Sequence, residues 1–292
     1  MRFSRLGILP VILLTVIVGT NCTYYNRVIT RKNLVDGGTA YRDRKFEDAE
    51  QYFRNAVSRD PQGQTPEGKA AQLFLARTLH SRYIGNRQDE AKAENAINEY
   101  KKVLAGDVND QASFSAVANL LENLNRDDEW LQWITQRSTN EQVPAEQRAD
   151  ALTKLAAKQY SCANEISDQE PVKKTVTKEG KQVFEFSKPQ DPATFERFKQ
   201  CVQAGADLAN RAEKLDTNSD AVWSYKANML VQQMRLAEME GNTQMRDSLK
   251  ADADKAKARF TDLARIRKEK EDAAEAEKKA KEEAATANTN KK

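Results

Sequence analysis

The chain has 292 residues, of which 39% are hydrophobic and 31% are charged, with only 11 Gly and 7 Pro. Low Gly and Pro content together with abundant Ala, Glu, Lys, Leu and Arg is typical of a mostly helical protein. Its 47 basic and 44 acidic residues give a formal net charge of +3, which argues against the basic surface of a nucleic-acid-binding protein. We therefore expect an all-α chain with no nucleic-acid partner.

The N-terminus carries a pattern typical of export. Two arginines precede an apolar run over residues 6–18, LGILPVILLTVIV, which is short for a membrane-spanning helix. Cys22 follows this run and resembles the lipidated cysteine of a bacterial lipoprotein signal. The resemblance implies removal of residues 1–21, lipid attachment at Cys22 and a periplasm-facing location in the bacterial cell envelope. An uncleaved anchor and ordinary cleavage near Gly19 remain alternatives.

After a tether over residues 22–30, the segment 35–61 carries a repeat pattern. It reads VDGGTAYRDRKFEDAEQYFRNAVSRDP and is similar to a tetratricopeptide repeat over almost its whole length. The resemblance implies a helical hairpin. Small residues let two helices approach closely, and bulky ones fill the space between hairpins. The small positions are Gly37, Ala40, Ala49 and Ala56, and the bulky ones are Phe46 and Phe53.

Looser copies of this pattern follow along the chain. Together they predict a right-handed α-solenoid of about five such hairpins over residues 31–265. Beyond this the apolar stripe fades, and alternating acids and bases predict a solvated helical tail in 266–292 whose last residues, 285–292, are disordered.

The fourth hairpin is interrupted by an insertion at about 168–192. Within it, KTVTKEGKQVFEF alternates apolar and polar residues around Glu179-Gly180, which predicts a β-hairpin. Cys162 and Cys201 lie on the helices that flank the insertion. In an exported protein they are candidates for a disulfide, and the alternative is that each is a small buried hydrophobe.

The sequence offers little that indicates catalysis. His80 is the single histidine, and a lone His on an amphipathic helix is far more often a packed or capping residue than a catalyst. Nucleophile, zinc and phosphate-loop motifs are missing from the sequence. We therefore expect no enzyme activity, no metal, no cofactor and no small-molecule substrate.

The expected function is that of a scaffold for protein or peptide partners, and the alternative is a structural spacer in the envelope. Comparison with the repeat family implies that certain polar side chains face a binding groove, although each is also typical of an ordinary exposed surface. The family's clamp for C-terminal carboxylates is not expected, because Leu34 and Gly38 occupy its positions. The groove candidates are Arg31, Tyr41 and Arg42 in the first hairpin, Asn119 and Asn123 in the third, and Asn228 and Gln232 in the fifth.

Overall fold

A computed structural model describes the backbone of residues 8–289 and the side chains of residues 24–283. The predicted signal peptide, residues 1–21, and the predicted lipid attachment at Cys22 concern side chains outside this description. In the part of the chain that is described, no helix is both long and apolar enough to cross a membrane. That part is helical apart from one β-hairpin and connecting turns, which confirms the predicted all-α fold class.

The chain divides into two compact units, Met1–Trp130 and Leu131–Lys292. In the first unit, α1 packs against α2 and α3, and α2, α3 and α4 each pack against the next helix along the chain. Helix α1 runs without a break through the predicted tether, and α6 begins in the first unit and ends in the second. The helices are α1 (Ile8–Arg42), α2 (Phe46–Arg59), α3 (Pro66–Gly85), α4 (Glu90–Gly106), α5 (Gln111–Asn123) and α6 (Asp127–Thr139).

Short polar residues set where several helices begin. Asp89, Asp110 and Ser219 each accept a hydrogen bond from the backbone N–H three residues later. Thr65 does the same before α3, with Pro66 in the first turn. These caps satisfy N–H groups that have no partner within the helix.

The core of the first unit contains the signature residues of the first predicted repeat. Phe53 is fully buried, and its ring stacks on Phe74 at a centroid distance of 5.5 Å. Ala49 and Ala56 are fully buried beside it on α2. Phe53 therefore fills the space between small residues, as the resemblance implies, whereas Phe46, the other bulky position, is only half-buried.

The same tight turn joins the two helices of the first, third and fifth hairpins. Each turn has one residue with positive φ: Arg44 at 60°, Asn125 at 55° and Gly241 at 78°. The next N–H donates back to a carbonyl five residues earlier, which is the Schellman pattern. These bonds are Lys45 N to Ala40 O, 2.9 Å, Arg126 N to Leu121 O, 2.9 Å, and Asn242 N to Ala237 O, 2.8 Å.

The second unit holds the later helices and the insertion. α7 packs against α8 and α9, and α9 packs against α10. Its buried residues form clusters between these helices, one of them around Phe198, which is fully buried. The elements are α7 (Ala145–Ser167), β1 (Lys173–Lys178), β2 (Lys181–Phe186), α8 (Pro192–Leu215), α9 (Asp220–Met239) and α10 (Thr243–Thr289).

The predicted β-hairpin is present between α7 and α8. Strands β1 and β2 pair antiparallel with Val176 opposite Val183. Glu179 and Gly180 form the two-residue turn with φ of 51° and 75°. Two consecutive positive φ values are those of a type I′ turn, whose twist matches that of a hairpin.

The helices on either side of the insertion are joined covalently. Cys162 on α7 and Cys201 on α8 form a disulfide with their Cα atoms 6.1 Å apart. Cys201 is itself 7% exposed and belongs to the cluster around Phe198. The disulfide is therefore itself part of the apolar core, so the two alternatives for these cysteines do not exclude one another.

The charged tail is helical and solvated. Ala253, Ala256 and Leu263 on α10 are buried, whereas every described side chain from 267 to 283 is exposed. Arg267 still contacts α9, with Nε 3.0 Å from Asp220 Oδ2. The helix continues to Thr289, so it extends into the segment 285–292 that the sequence predicts to be disordered.

Candidate functional site

The groove candidates on α1 divide into exposed and packed residues. Arg31 and Arg42 are exposed, and Arg42 Nη2 donates to Thr39 Oγ1 at 3.4 Å. Tyr41 is half-buried, with its hydroxyl 3.0 Å from Ser81 Oγ on α3. Its ring also meets Phe46 and Phe74 edge-on, at centroid distances of 5.4 and 6.3 Å. Tyr41 therefore joins α1 to α3, and the two arginines are available to a partner.

Helix α5 presents two amides at the surface of the same unit. Asn119 and Asn123 are both exposed, and their spacing of four residues places them on one helix face. Asn123 Oδ1 accepts a hydrogen bond of 3.2 Å from Arg87 Nη1. An amide offers paired donors and acceptors, which suits recognition of peptide backbone.

The prediction for the fifth hairpin is wrong for Gln232. This side chain is fully buried, with Nε2 donating to Asn164 Oδ1 at 3.2 Å and Oε1 accepting from Ser167 Oγ at 3.0 Å. Asn228 is half-buried. Because α7 packs across α9, the face that the repeat pattern assigns to a groove is here covered by another helix of the same unit.

Gln232 belongs to a buried polar cluster that the sequence did not indicate. Arg235 Nη1 donates to Ser167 Oγ at 2.8 Å and to Asn164 Oδ1 at 3.1 Å. Its guanidinium also lies over the Phe186 ring of β2, 4.6 Å from the centroid. Burial lowers the pKa of Arg235. The cluster ties α7, α9 and the base of the β-hairpin together, so we assign it a structural role.

A cavity of about 460 Å³ opens in the first unit. It lies between the loop after α2, the start of α3 and the end of α4. Aliphatic side chains line part of it, including Leu73 and Val103, and exposed Lys69 and Lys102 stand beside them. Asp107 and Asp110 add negative charge. The mixed lining suits an apolar side chain flanked by a polar or charged group. Because its residues come from separate segments of the chain, local sequence patterns do not predict this cavity.

A nearly buried carboxylate organises the charges of the first unit. Glu50 is 7% exposed and pairs with Arg54 at 2.8 Å, with Arg82, and with Lys92 at 3.6 Å. Burial by itself raises the pKa of Glu50. Hydrogen bonds from Arg82 and Arg54 and the charge of Lys92 outweigh it, so the pKa lies below its ordinary value. This network links α2, α3 and α4.

His80 is a packed residue. Its ring meets Tyr100 edge-on at 6.0 Å, with Nδ1 3.4 Å from the Tyr100 hydroxyl. Burial, and then the charge of Arg87, lower the pKa of His80, and burial raises the pKa of Tyr100 to about 12. Over the described residues, no group of three or more His, Cys, Asp or Glu side chains is placed to hold a metal ion.

Of the known proteins compared with this chain, solved structures alone are similar to it. No family model matches it, and no curated protein sequence matches it. Similar solved structures include the MamA protein, with 11% identity and a TM-score of 0.43 over 82% of this chain and 94% of that one. The pilF protein of Pseudomonas aeruginosa has 12% identity and a TM-score of 0.38 over 82% and 99%.

A tetratricopeptide repeat protein from Parabacteroides merdae is also similar, with 10% identity and a TM-score of 0.35 over 82% of this chain and 98% of that one. At these TM-scores and identities, the fold assignment rests on the helix pairs and repeated turns of this chain itself.

Proposed function

We propose that the protein is an envelope-anchored helical-repeat scaffold that binds protein or peptide partners. The observation that carries this proposal is the state of four groove candidates in the first unit. Four candidates are exposed in a unit whose core is buried, namely Arg31, Arg42, Asn119 and Asn123. Guanidinium and amide groups held on a rigid helical surface suit recognition of a peptide backbone and its carboxylates.

The cavity beside α3 and α4 supports the same function. Its aliphatic lining accommodates an apolar side chain of a partner, and its lysines and aspartates suit polar neighbours in that partner. A recognition surface with apolar and charged contacts side by side gives both affinity and specificity.

Membrane attachment through Cys22 is part of the proposal and rests on the sequence. The basic start, the apolar run and the cysteine that follows are the support for it. Mass spectrometry of the mature protein tests it directly. A lipid-modified N-terminal Cys22 supports attachment, whereas an intact Met1, or an unmodified new N-terminus near Gly19, rules it out.

Partner binding is tested by crosslinking and pull-down from envelope membranes with two matched variants. One replaces Arg31, Arg42, Asn119 and Asn123 by Ala, and the control replaces the exposed Gln51 and Asn55 of α2 by Ala. We expect the first variant to lose a specific partner that wild type and control retain. Equal capture by all three proteins would contradict a role for these residues.

A structural spacer remains the second candidate. The observation in its favour is the charge-alternating end of α10, in which every described side chain from 267 to 283 is exposed. A helix that is polar all round is typical of a solvent-bridging element. Deleting this end separates the two functions, because a scaffold keeps its partner without it.

A further inference from the structure

The β-hairpin insertion has one edge that is built to receive another strand. Ser187 N donates to Val172 O at 2.8 Å, so this pair faces inward at the base of the hairpin. Peptide groups alternate in direction along a strand. Lys174, Val176 and Lys178 therefore also point their N–H and C=O groups toward β2, and the residues between them point outward.

Two contacts at the base of the hairpin agree with this alternation. Lys173 N donates outward to Gln169 O at 2.9 Å, and Phe186 N donates outward to Glu238 Oε1 at 3.0 Å. Above these contacts, the outward peptide groups of β1 belong to Thr175 and Thr177. Both residues are exposed, and their outward N–H and C=O groups have no protein partner among the described residues. An open strand edge is a template for pairing with another chain.

The base of the hairpin is held firmly, so this edge has a fixed position on the second unit. Phe186 packs against the cluster around Phe198, beneath the guanidinium of Arg235. Val172, just before β1, is 6% exposed. The disulfide joins the two helices from which the hairpin emerges. A rigid strand gives up little conformational entropy when a partner strand adds to it.

Charge distinguishes the two edges. Strand β1 reads KKTVTK and carries three lysines and no acid, whereas β2 reads KQVFEF and carries one lysine and one glutamate. Lys174 is exposed and has no ion pair among the described residues, and Lys178 is 63% exposed although it pairs with Glu185 at 2.5 Å. Both lysines share one face of the sheet with half-buried Val176.

We propose that the outer edge of β1 binds an extended acidic segment of a partner protein by strand addition. The peptide groups of Thr175 and Thr177 supply main-chain hydrogen bonds, and pockets between alternate side chains supply specificity. On the face of Lys174, Val176 and Lys178 the partner places acidic residues beside the lysines and an apolar residue beside the valine. A second copy of this chain does not fit, because β1 against β1 brings lysines opposite lysines.

This edge lies on the second unit and uses none of the groove candidates, so it goes beyond the proposed function. The probe is a labelled peptide that repeats Glu-Thr-Val-Thr, which places Glu and Val in turn along one face of a strand. The controls are a peptide with Lys in place of Glu and a Pro-interrupted form of the acidic peptide. Full-length protein is titrated with each peptide, and binding is followed by fluorescence anisotropy. We expect only the uninterrupted acidic peptide to bind, and binding to weaken as salt is added.

Two matched proline variants locate the edge. Thr175→Pro removes an outward N–H of β1, and Gln182→Pro removes an outward N–H of β2, so neither breaks the β1–β2 ladder. We expect Thr175→Pro to weaken binding of the acidic peptide by about tenfold or more, and Gln182→Pro to leave it within about twofold, since main-chain bonds supply much of the affinity in strand addition. Lys174→Glu should weaken binding as well. The variant with Ala at Arg31, Arg42, Asn119 and Asn123 should not.

Amide hydrogen exchange gives a readout that does not depend on how the variants fold. Adding the acidic peptide to wild type should slow exchange at Thr175 and Thr177 and leave Gln182 and Phe184 unchanged. Protection of Gln182 and Phe184 alone, or no protection at any of the four, overturns the proposal. So does dimerisation that Thr175→Pro abolishes. Binding to phosphatidylglycerol vesicles that protects none of these amides, with no peptide binding, also overturns it.

Discussion

Phe53 lies directly against the backbone of Gly37, where α2 crosses α1. A Cβ atom added at Gly37 would lie 2.7 Å from Phe53 Cε1, whereas a Cβ at the neighbouring Gly38 would meet nothing within 4 Å. Phe53 is fully buried and stacks on Phe74 of α3. One aromatic ring thus fixes the approach of three helices, and it does so because residue 37 has no side chain.

The two adjacent glycines predict opposite effects of the same substitution. Gly37→Ala should lower the free energy of unfolding by about 1–3 kcal/mol, because the new methyl group overpacks the Phe53 site. Gly38→Ala should raise it by up to about 1 kcal/mol, since Ala is favoured over Gly inside a helix. Urea unfolding followed by circular dichroism measures both. Equal effects at the two positions would show that the ring moves aside freely.

Truncation of the ring itself is a separate test of the same packing. Phe53→Ala should cost about 3 kcal/mol or more, through lost burial and the cavity that remains. Tyr52→Ala is the matched control on α2, because Tyr52 is 37% exposed, and it should cost much less. A loss at Tyr52 as large as that at Phe53 would contradict the assignment of the core.

The repeated turn predicts a graded response to glycine. Arg44, Asn125 and Gly241 occupy equivalent positions with positive φ, a conformation that strains most side chains, is tolerated by Asn and is free for Gly. Arg44→Gly should stabilise the protein by about 0.5–1 kcal/mol, Asn125→Gly should change it less, and Gly241→Ala should destabilise it by about 1 kcal/mol. Thermal unfolding of the three variants gives the order. If Arg44→Gly destabilises the protein, the Arg44 side chain stabilises the fold by more than its positive φ destabilises it.

Local patterns in the sequence were sufficient for the helices and the β-hairpin. The spacing of Ala49, Phe53 and Ala56 predicts a buried helix face, and all three are fully buried. The two-residue turn at Glu179 and Gly180 predicts the hairpin, and it joins β1 to β2. Such features depend on neighbours within a few turns of chain, which is the range that periodicity and turn chemistry describe.

Features that depend on distant segments were not predictable in the same way. The repeat pattern places Gln232 on an exposed helix face, but Ser167, 65 positions earlier, donates a hydrogen bond to Gln232 Oε1 in a buried cluster. The ring of Phe186 beneath Arg235 and the cavity beside Leu73 and Val103 likewise combine separate elements. Such contacts depend on tertiary packing, which the spacing of residues along one helix does not describe.

Glu50 predicts a pH dependence of stability. Its folded pKa lies below its ordinary value, so its contribution is fully present above the unfolded pKa and is lost as the pH falls through the folded pKa. Glu50→Gln should therefore cost about 1–3 kcal/mol at neutral pH, where it weakens a buried charge network, and less in acid, where wild type has lost the same interaction.

Urea unfolding of wild type and Glu50→Gln at neutral and acidic pH measures this difference. Glu47→Gln is the matched control, because Glu47 also pairs with Arg82 at 3.0 Å but its side chain is 74% exposed. Its effect should stay within about 0.5 kcal/mol at either pH, as for other surface ion pairs. A cost of Glu50→Gln that is the same at both pH values would count against the assignment.

The disulfide predicts a defined thiol count. Under denaturing conditions, reduction should expose two more reactive thiols than are present before it, whatever the state of Cys22. Replacing Cys162 and Cys201 by Ser should destabilise the second unit by about 4 kcal/mol in the chain-entropy model, given a sequence separation of 39. If both thiols already react before reduction in protein purified from the envelope, the pair is reduced there and only its packing remains.

The end of α10 predicts a deletion that leaves stability unchanged. Leu263 is the last fully packed side chain described on this helix at 7% exposed, and Arg267 makes a contact to Asp220 on α9. Removing residues 270–292 should therefore shift the free energy of unfolding by less than about 0.5 kcal/mol, because only solvated ion pairs are lost. Leu263→Ala in the full chain is the comparison, and it should cost about 2 kcal/mol or more.

The same deletion of residues 270–292 decides between the two candidate functions. A scaffold without its tail keeps the partner captured through Arg31, Arg42, Asn119 and Asn123, whereas a spacer without its tail fails to restore envelope integrity to cells that lack the protein.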